Sequence, residues 1–450
     1  MRFPVALVVV ALLFSVWCFV FAAITPYRTP GFLRYQRTET GAPVRTIDVG
    51  APDELQHINY VRHIVDGKGF PVLKLDDPEL GANYQSHQPP LYYLLAAGVT
   101  KALGLDLTAE SSRIPMRLLN TIIGLATLAG VFFGMKWAFR RDDIAAAATA
   151  IAGLLPMMIA LHGAVSNDPL LFALSTWSVA LCILSVQEGW TVKRALLIGG
   201  LTGLAILTKT NAIALLPILV LALFLGRKTS KKLNWQVVAV ALALPLLLAA
   251  PWWMRNQQLY GDPLGLQLFT AAFQGSPQAS VFIDGLGAKA YWVDMVAWWT
   301  GRSFIGVFGY MDIFLFEAMG TDKAAALYRF LLAIFGLMGL GAVAGMLATQ
   351  DKAKNDGIAV PNAFAVLGGA FILVVLILFL RFNAQYFQGQ ARYLFPAIFP
   401  IAGFLAVGAC TIGRRKPTVV WIVLAVFLTI LDVISYLAVR EGFPIRLGMG

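Results

Sequence analysis

Only three cysteines occur in 450 residues, and Cys18, Cys182 and Cys410 each lie inside an apolar run. Scattered cysteines without paired spacing exclude a disulfide framework and a cysteine-based zinc site. Histidine is nearly as scarce. Four are present, and His57 and His63 stand six apart rather than the four that would place both on one helix face, which argues against a histidine-based metal site. Charge is low as well: Asp, Glu, Lys and Arg make up 13% of the chain against 58% hydrophobic residues, which excludes an ordinary soluble globule. No repeat of fixed period and no low-complexity tract stands out.

What the chain has instead is a series of long apolar runs. About eighteen apolar residues suffice to span a bilayer core, and the runs predict roughly eleven spans: 3–24, 114–138, 144–163, 169–187, 194–208, 212–226, 235–254, 325–349, 361–381, 393–413 and 418–438. The expected fold class is an all-α polytopic membrane protein, one membrane domain over 1–450. Two large polar segments, 25–113 and 255–324, interrupt the runs. The stretch "PPLYYLLAAGVTKALGL" is short and carries Lys101, so it is expected to lie along the membrane surface as an interfacial helix.

Orientation follows from the placement of basic residues. With that stretch interfacial, the loops "FRRDD", "QEGWTVKR", "GRKTSKKLN", "TQDKAKND" and "GRRKP" share one face, and each contains at least two Lys or Arg. That face is then cytoplasmic, and both large segments are extracytoplasmic. Much of the net charge of +11 is thereby accounted for as topology, not as a nucleic-acid patch.

The unusual polar residues collect on the opposite face. "APDELQHINYVRH" holds Asp53, Glu54, His57 and His63, and "NYQSHQPPLYY" holds His87. "HGAVSNDP" supplies Asn167 and Asp168, "LTKTN" supplies Lys209, "PWWMRNQQLYGDP" supplies Arg255, Asn256 and Tyr260, and "GQARYLFP" supplies Arg392 and Tyr393. Cations in such a set fit an anionic headgroup, and carboxylates fit proton acceptance. Blander readings stand beside these. Lys209 and Arg255 also read as interfacial anchors, Trp252 and Trp253 as an aromatic belt, Asp168 before Pro169 as a helix cap, and Asp53–Glu54 as the start of an amphipathic helix.

The ordered series "PDExxH", "SHQPPLYYLL", "SNDP", "TKxN", "RNxxLYGDP" and "GQARYLFP" resembles the multi-span GT-C glycosyltransferases that use a polyprenyl-phosphate sugar donor, such as the aminoarabinose lipid A transferases and protein O-mannosyltransferases. The likeness runs from the first span to about residue 400. It implies that Asp53 is a catalytic base with Glu54 beside it, that Asp168 is a second acid, and that Lys209, Arg255 and Arg392 bind the lipid phosphate, with Tyr393 and His87 nearby. His57, Asn167, Asn256 and Tyr260 complete the expected pocket. The implied reaction is an inverting displacement at the surface of a plasma (inner) membrane, to a glycan, lipid or protein acceptor. The better-matching branches work without a bound metal; oligosaccharide-transferring relatives hold one between paired acids, so Asp53 with Asp168 leaves a divalent ion open. No large soluble domain follows the last predicted span, and acceptor recognition is not implied. The alternative is a transporter or flippase for a lipid-linked sugar. Transporters set their polar sites near the midplane, whereas the predicted span centres here are almost free of charge.

Overall fold

The computed structural model describes residues 4–37, 40–227, 234–347, 358–413 and 416–448. Its helices are α1 (Val5–Ile24), α2 (Glu54–Val65), α3 (Leu80–Asn83), α4 (Leu91–Ala102), α5 (Arg113–Phe139), α6 (Asp142–Leu154), α7 (Pro156–His162), α8 (Asp168–Glu188), α9 (Val192–Ile206), α10 (Leu215–Gly226), α11 (Trp235–Tyr260), α12 (Leu266–Ala272), α13 (Ala279–Leu286), α14 (Trp298–Ile305), α15 (Thr321–Leu347), α16 (Asn362–Asn383), α17 (Ile398–Ile412) and α18 (Pro417–Arg446). Helices make up most of the described residues. Two antiparallel ribbons are the exception: β1 (Gly31–Arg37) pairs with β2 (Pro43–Thr46), and β3 (Val307–Phe308) with β4 (Ile313–Phe314).

Among the described residues, eight helices are long and apolar enough to cross a membrane, or nine if α6 and α7 are taken as one bent span. The chain is a multi-pass integral membrane protein. The bend of 62° between α6 and α7 falls where a span was expected over 144–163. Its cause is Pro156, which pushes Leu155 out of the helical region to φ −73°, ψ 122°. The spans expected at 194–208 and 212–226 are α9 and α10, of 15 and 12 residues, each shorter than a full crossing at 1.5 Å per residue. Helix α4, also 12 residues, is likewise too short to cross. Helix α11 does not stop at 254; it runs to Tyr260, where Gly261 takes a left-handed φ of 68° and closes it. Arg255, Asn256 and Tyr260 therefore ride on a helix end rather than in a loop. The basic loop 349–356 and parts of the loops 226–234 and 413–417 lie outside the described residues, as do the first residue of the span expected at 3–24 and the last two of that expected at 325–349.

Small residues let the helices approach closely, as membrane packing requires. The run Ala145–Ala148 in α6 is buried on all sides, against α1, α5, α17 and α18. A Cβ on Gly134 of α5 would meet Ala180 of α8 at 2.7 Å, and Gly408 of α17 lies directly on the Met338 carbonyl of α15. This bundle carries the turns after α1, before α8, after α9 and before α17 to one end, where the acids and cations meet.

Candidate active site

Asp53 immediately precedes α2 with φ 64° and ψ 2°. The left-handed region is costly for a residue with a Cβ, though tolerated best by Asn and Asp. That backbone turns its carboxylate toward two donors. Tyr84 donates its hydroxyl to Oδ1, and Arg392 donates Nη2 to Oδ2 at 2.6 Å. Burial alone would raise the Asp53 carboxyl, but the Arg392 guanidinium and the Tyr84 hydroxyl outweigh it and hold it down at about 2. Asp53 is an ionised, hydrogen-bond-accepting carboxylate at neutral pH.

Asp168 opens α8, with Pro169 preset for the first helical turn. Lys209 donates Nζ to its Oδ1 at 2.5 Å, and among the described residues Oδ2 accepts nothing. The two turns that carry this pair are tied together. Asn167 donates to the Thr208 carbonyl at 3.1 Å and to Gln88 at 3.4 Å, and Gln88 in turn donates to His87 Nε2 at 3.1 Å. His87 gives its single ring proton, on Nδ1, to the Tyr84 carbonyl at 2.6 Å. Burial pushes His87 down to about 4, so it is neutral and acts as a linker.

His57 sits between the two acid–cation pairs. Its Nδ1 is 2.8 Å from the Tyr93 hydroxyl. Burial drives its pKa down to about 4 against the pull of Asp53, with Lys209 also opposing a charge and Asp168 favouring one. Tyr93 stacks on Tyr60 at 3.7 Å, which makes one wall of the cluster aromatic. Tyr393 lies on the other side, its ring 5.2 Å from the Arg392 guanidinium carbon.

The structure thus brings together Asp53, Asp168, Lys209, Arg392, Tyr393, His57, His87 and Asn167. It does not bring Glu54, Arg255, Asn256 or Tyr260 into that group. Glu54 is fully buried and ion-paired with Arg117, whose Nε donates to Oε1 at 2.8 Å; the Val165 amide donates to the same oxygen at 2.7 Å. Arg117 also donates to the carbonyls of Ala22, Thr25 and Pro26. Both carboxylate oxygens of Glu54 are therefore engaged in holding α1, α2, α5 and the 163–167 turn together. Arg255 stacks on Trp252 at 4.5 Å and donates to the Pro71 carbonyl at 2.8 Å. Tyr260 accepts from the Leu73 amide at 3.1 Å, and Asn256 donates to the Pro263 carbonyl at 3.2 Å. Arg255 and Tyr260 fasten the 70–73 strap to α11, and Asn256 ties down the turn that follows that helix.

Sequence reasoning missed Tyr84, Gln88, Arg117 and Arg446. Tyr84 and Gln88 lie within "NYQSHQPPLYY" but no spacing rule marks them. Arg117 left a usable signal: an arginine four residues inside a predicted span is expensive unless a buried partner answers it. Among the described residues no three His, Cys, Asp or Glu side chains converge as metal ligands. Asp53 and Asp168 each have a cation against one carboxylate oxygen.

The architecture resembles that of two solved membrane glycosyltransferases. One is ArnT from Cupriavidus metallidurans, solved bound to undecaprenyl phosphate, at 14% identity and TM-score 0.50, covering 98% of this chain and 76% of that one. The other is the Archaeoglobus fulgidus oligosaccharyltransferase, solved with Zn and sulfate, at 12% identity and TM-score 0.51. There the alignment covers 95% of this chain and 53% of the other, so this chain spans about half the length of that enzyme. No curated protein sequence matches the chain. The likeness shows the fold, a multi-pass membrane architecture shared with these enzymes, and one segment of the chain also matches a family model. The segment is residues 87–254, which match the family described as dolichyl-phosphate-mannose-protein mannosyltransferase. It contains the turns of Asp168 and Lys209.

Proposed function

We propose that the chain transfers a sugar from a polyprenyl-phosphate donor to the hydroxyl of a glycan, lipid or protein acceptor, on the extracytoplasmic face of the plasma (inner) membrane. The observation that carries this reading is the reciprocal pairing of two acids with two cations, Asp53 with Arg392 and Asp168 with Lys209. A phosphate competes with the carboxylates for the guanidinium and the ammonium. Once Arg392 turns to the phosphate, Asp53 loses the charge that most depresses its basicity and regains a free oxygen.

The chemistry is then a single displacement. The acceptor oxygen attacks the anomeric carbon, the bond from that carbon to the phosphate oxygen breaks, and the electron pair leaves with the polyprenyl phosphate. Arg392 and Lys209 stabilise the charge that grows there. Asp53 takes the acceptor proton as the new glycosidic bond forms. One displacement inverts the anomeric configuration, with no covalent enzyme intermediate.

Full-length protein in detergent, given a labelled sugar on polyprenyl phosphate and a panel of acceptors, tests this. Transfer with inverted configuration in the product is expected. Retained configuration would remove the single-displacement mechanism, and donor binding without any transfer, in a detergent solution that has no compartments, would favour a carrier.

A further inference from the structure

Two fully buried arginines bracket Asp53 along the chain. Arg117 grips Glu54, the residue just after it. Arg446, at the last turn of α18, grips Val49, four residues before it, donating Nη1 to the Val49 carbonyl at 2.6 Å across 397 positions of sequence. Burying a guanidinium is costly without partners, and Arg446 has a second one: Asp312 beyond β3, with Oδ2 3.2 Å from Nε. Its guanidinium also lies 5.4 Å from the Tyr310 ring.

The surroundings leave room for this arginine and for little else. A Cβ on Gly309 would stand 2.5 Å from Arg446 Nη1, and one on Gly31 would stand 2.6 Å from the Arg446 carbonyl oxygen and 2.5 Å from Val49 Cγ1. Gly309 also has φ 60°, a conformation that side chains rarely adopt. The segment so gripped is stiff. Asp48 accepts from the Thr29 and Gly50 amides at 3.1 and 3.0 Å, and Val49 donates to the Thr29 carbonyl at 2.8 Å. Asp53, held left-handed a few residues later, needs such over-determination, because a strained backbone conformation persists only where its neighbours enforce it.

We infer that Arg446 is a positioning residue for Asp53: with Asp312 it clamps the Val49 carbonyl, and the clamp sets the direction in which Asp53 presents its carboxylate to Arg392 and to substrate. This rests on the reading of Asp53 as the base. Arg446 touches no substrate in this scheme and acts through the 48–53 backbone alone.

The test compares full-length wild type with Arg446→Ala, Arg446→Lys and Asp312→Asn, purified in detergent. Two readouts are taken: hydrogen exchange of the amides over 47–57, and transfer kinetics with a polyprenyl-phosphate sugar donor. In Arg446→Ala the amides around Val49 exchange faster. Turnover falls about tenfold or more while the donor KM moves less than about threefold, because misplacing a catalytic group by about 1 Å can cost ~100-fold. Arg446→Lys restores part of the turnover. If Arg446→Ala does not fold, Arg446→Lys and Asp312→Asn carry the same comparison with smaller effects. Unchanged exchange with unchanged turnover overturns the clamp, and so does a raised KM at constant turnover. Faster exchange in the variant beside a wild type that transfers no sugar leaves the clamp standing and removes the catalytic reading of Asp53.

Discussion

Arg392 reaches Asp53 across 339 positions of sequence, with 2.6 Å between Nη2 and Oδ2. Each neutralises the other in a site that water barely enters. The proposed reaction requires the pair to part when phosphate arrives, which links donor binding to the appearance of a usable base. Replacing Asp53 with Asn keeps the shape and removes both charge and basicity. Asp53→Asn is expected to bind the donor at least as tightly as wild type and to lose turnover by roughly a hundredfold or more. Near-normal turnover in that variant, measured with saturating donor, would reassign the base.

The cations divide by geometry. Arg392 and Lys209 belong to the cluster, so their alanine variants are expected to weaken donor binding by about 1–3 kcal/mol each, the usual worth of a charge-assisted hydrogen bond. Arg255 is committed to Trp252 and Pro71. Arg255→Ala is expected to loosen the 70–73 strap and to change donor affinity less than either of the others. Titration of donor into each purified variant separates these outcomes, and an Arg255 effect as large as that of Arg392 would return it to the phosphate site.

Glu54 and Arg117 form a buried pair, and breaking one typically leaves the other charge uncompensated at a cost of roughly 3–5 kcal/mol. Glu54→Gln and Arg117→Met are each expected to lower thermal stability sharply. The combination Glu54→Leu with Arg117→Met recovers only part of the loss, because Val165 and the carbonyls of Ala22, Thr25 and Pro26 lose their partners as well. A Glu54→Gln protein of full stability but no activity would mark Glu54 as chemical, not structural.

Acid is expected to destabilise the protein between pH 6.5 and 4. His57 and His87 are both held at about 4 by burial, against an ordinary value of 6.5. A group whose folded pKa is depressed contributes stability above its unfolded value and loses it as pH falls toward the folded one. Around His57, Asp53 and Asp168 favour the charged ring and Lys209 and Arg392 oppose it; Lys209 opposes it at His87, where the Tyr84 carbonyl favours it. Asp48 works the other way, raised by burial to about 6 from 3.8, so it favours folding as pH drops through that window. Two histidines outweigh one acid. Melting temperature in detergent should therefore decline from pH 6.5 to 4, less steeply in His57→Gln; a flat or rising profile would contradict the burial argument.

The three cysteines are buried, which leaves a quiet background for labelling. Cysteines placed at Lys68 and Gly275, both exposed, are expected to react with an impermeant thiol reagent in intact cells. One at Arg140, whose side chain is also exposed, should react only after lysis. The reverse pattern would invert the proposed topology.

The helical class and most of the long helices were legible in the sequence because apolar length is a local property. Asp53, Asp168, Lys209 and Arg392 were legible as unusual polar residues beside span ends, and the fold brings them into one cluster. What was not legible depends on direction. Glu54 adjoins Asp53 in sequence, yet α2 turns it inward to Arg117; Arg255 stands near the end of α11 but is engaged by Trp252 and the Pro71 carbonyl. The clamp on Val49 joins residues so distant that no pattern in the chain predicts it. Helix breaks were visible where the sequence marks them: Pro156 announces the bend after Leu155, and the apolar runs 194–208 and 212–226 are already short of a full crossing.

The bracketing of Asp53 by Arg117 and Arg446 bears on how the protein is made. A chain inserted from its N-terminal side has Asp53 in place long before α18 exists, and Arg392 and Arg446 arrive more than 300 residues later. Until they do, Asp53 lacks both its ion-pair partner and the grip on Val49. Such contacts of long sequence separation form late, after the loops between them close. A half-inserted chain is therefore expected to be inactive in the proposed transfer, and removing the last turn of α18 is expected to leave the bundle largely intact but the acid unaimed.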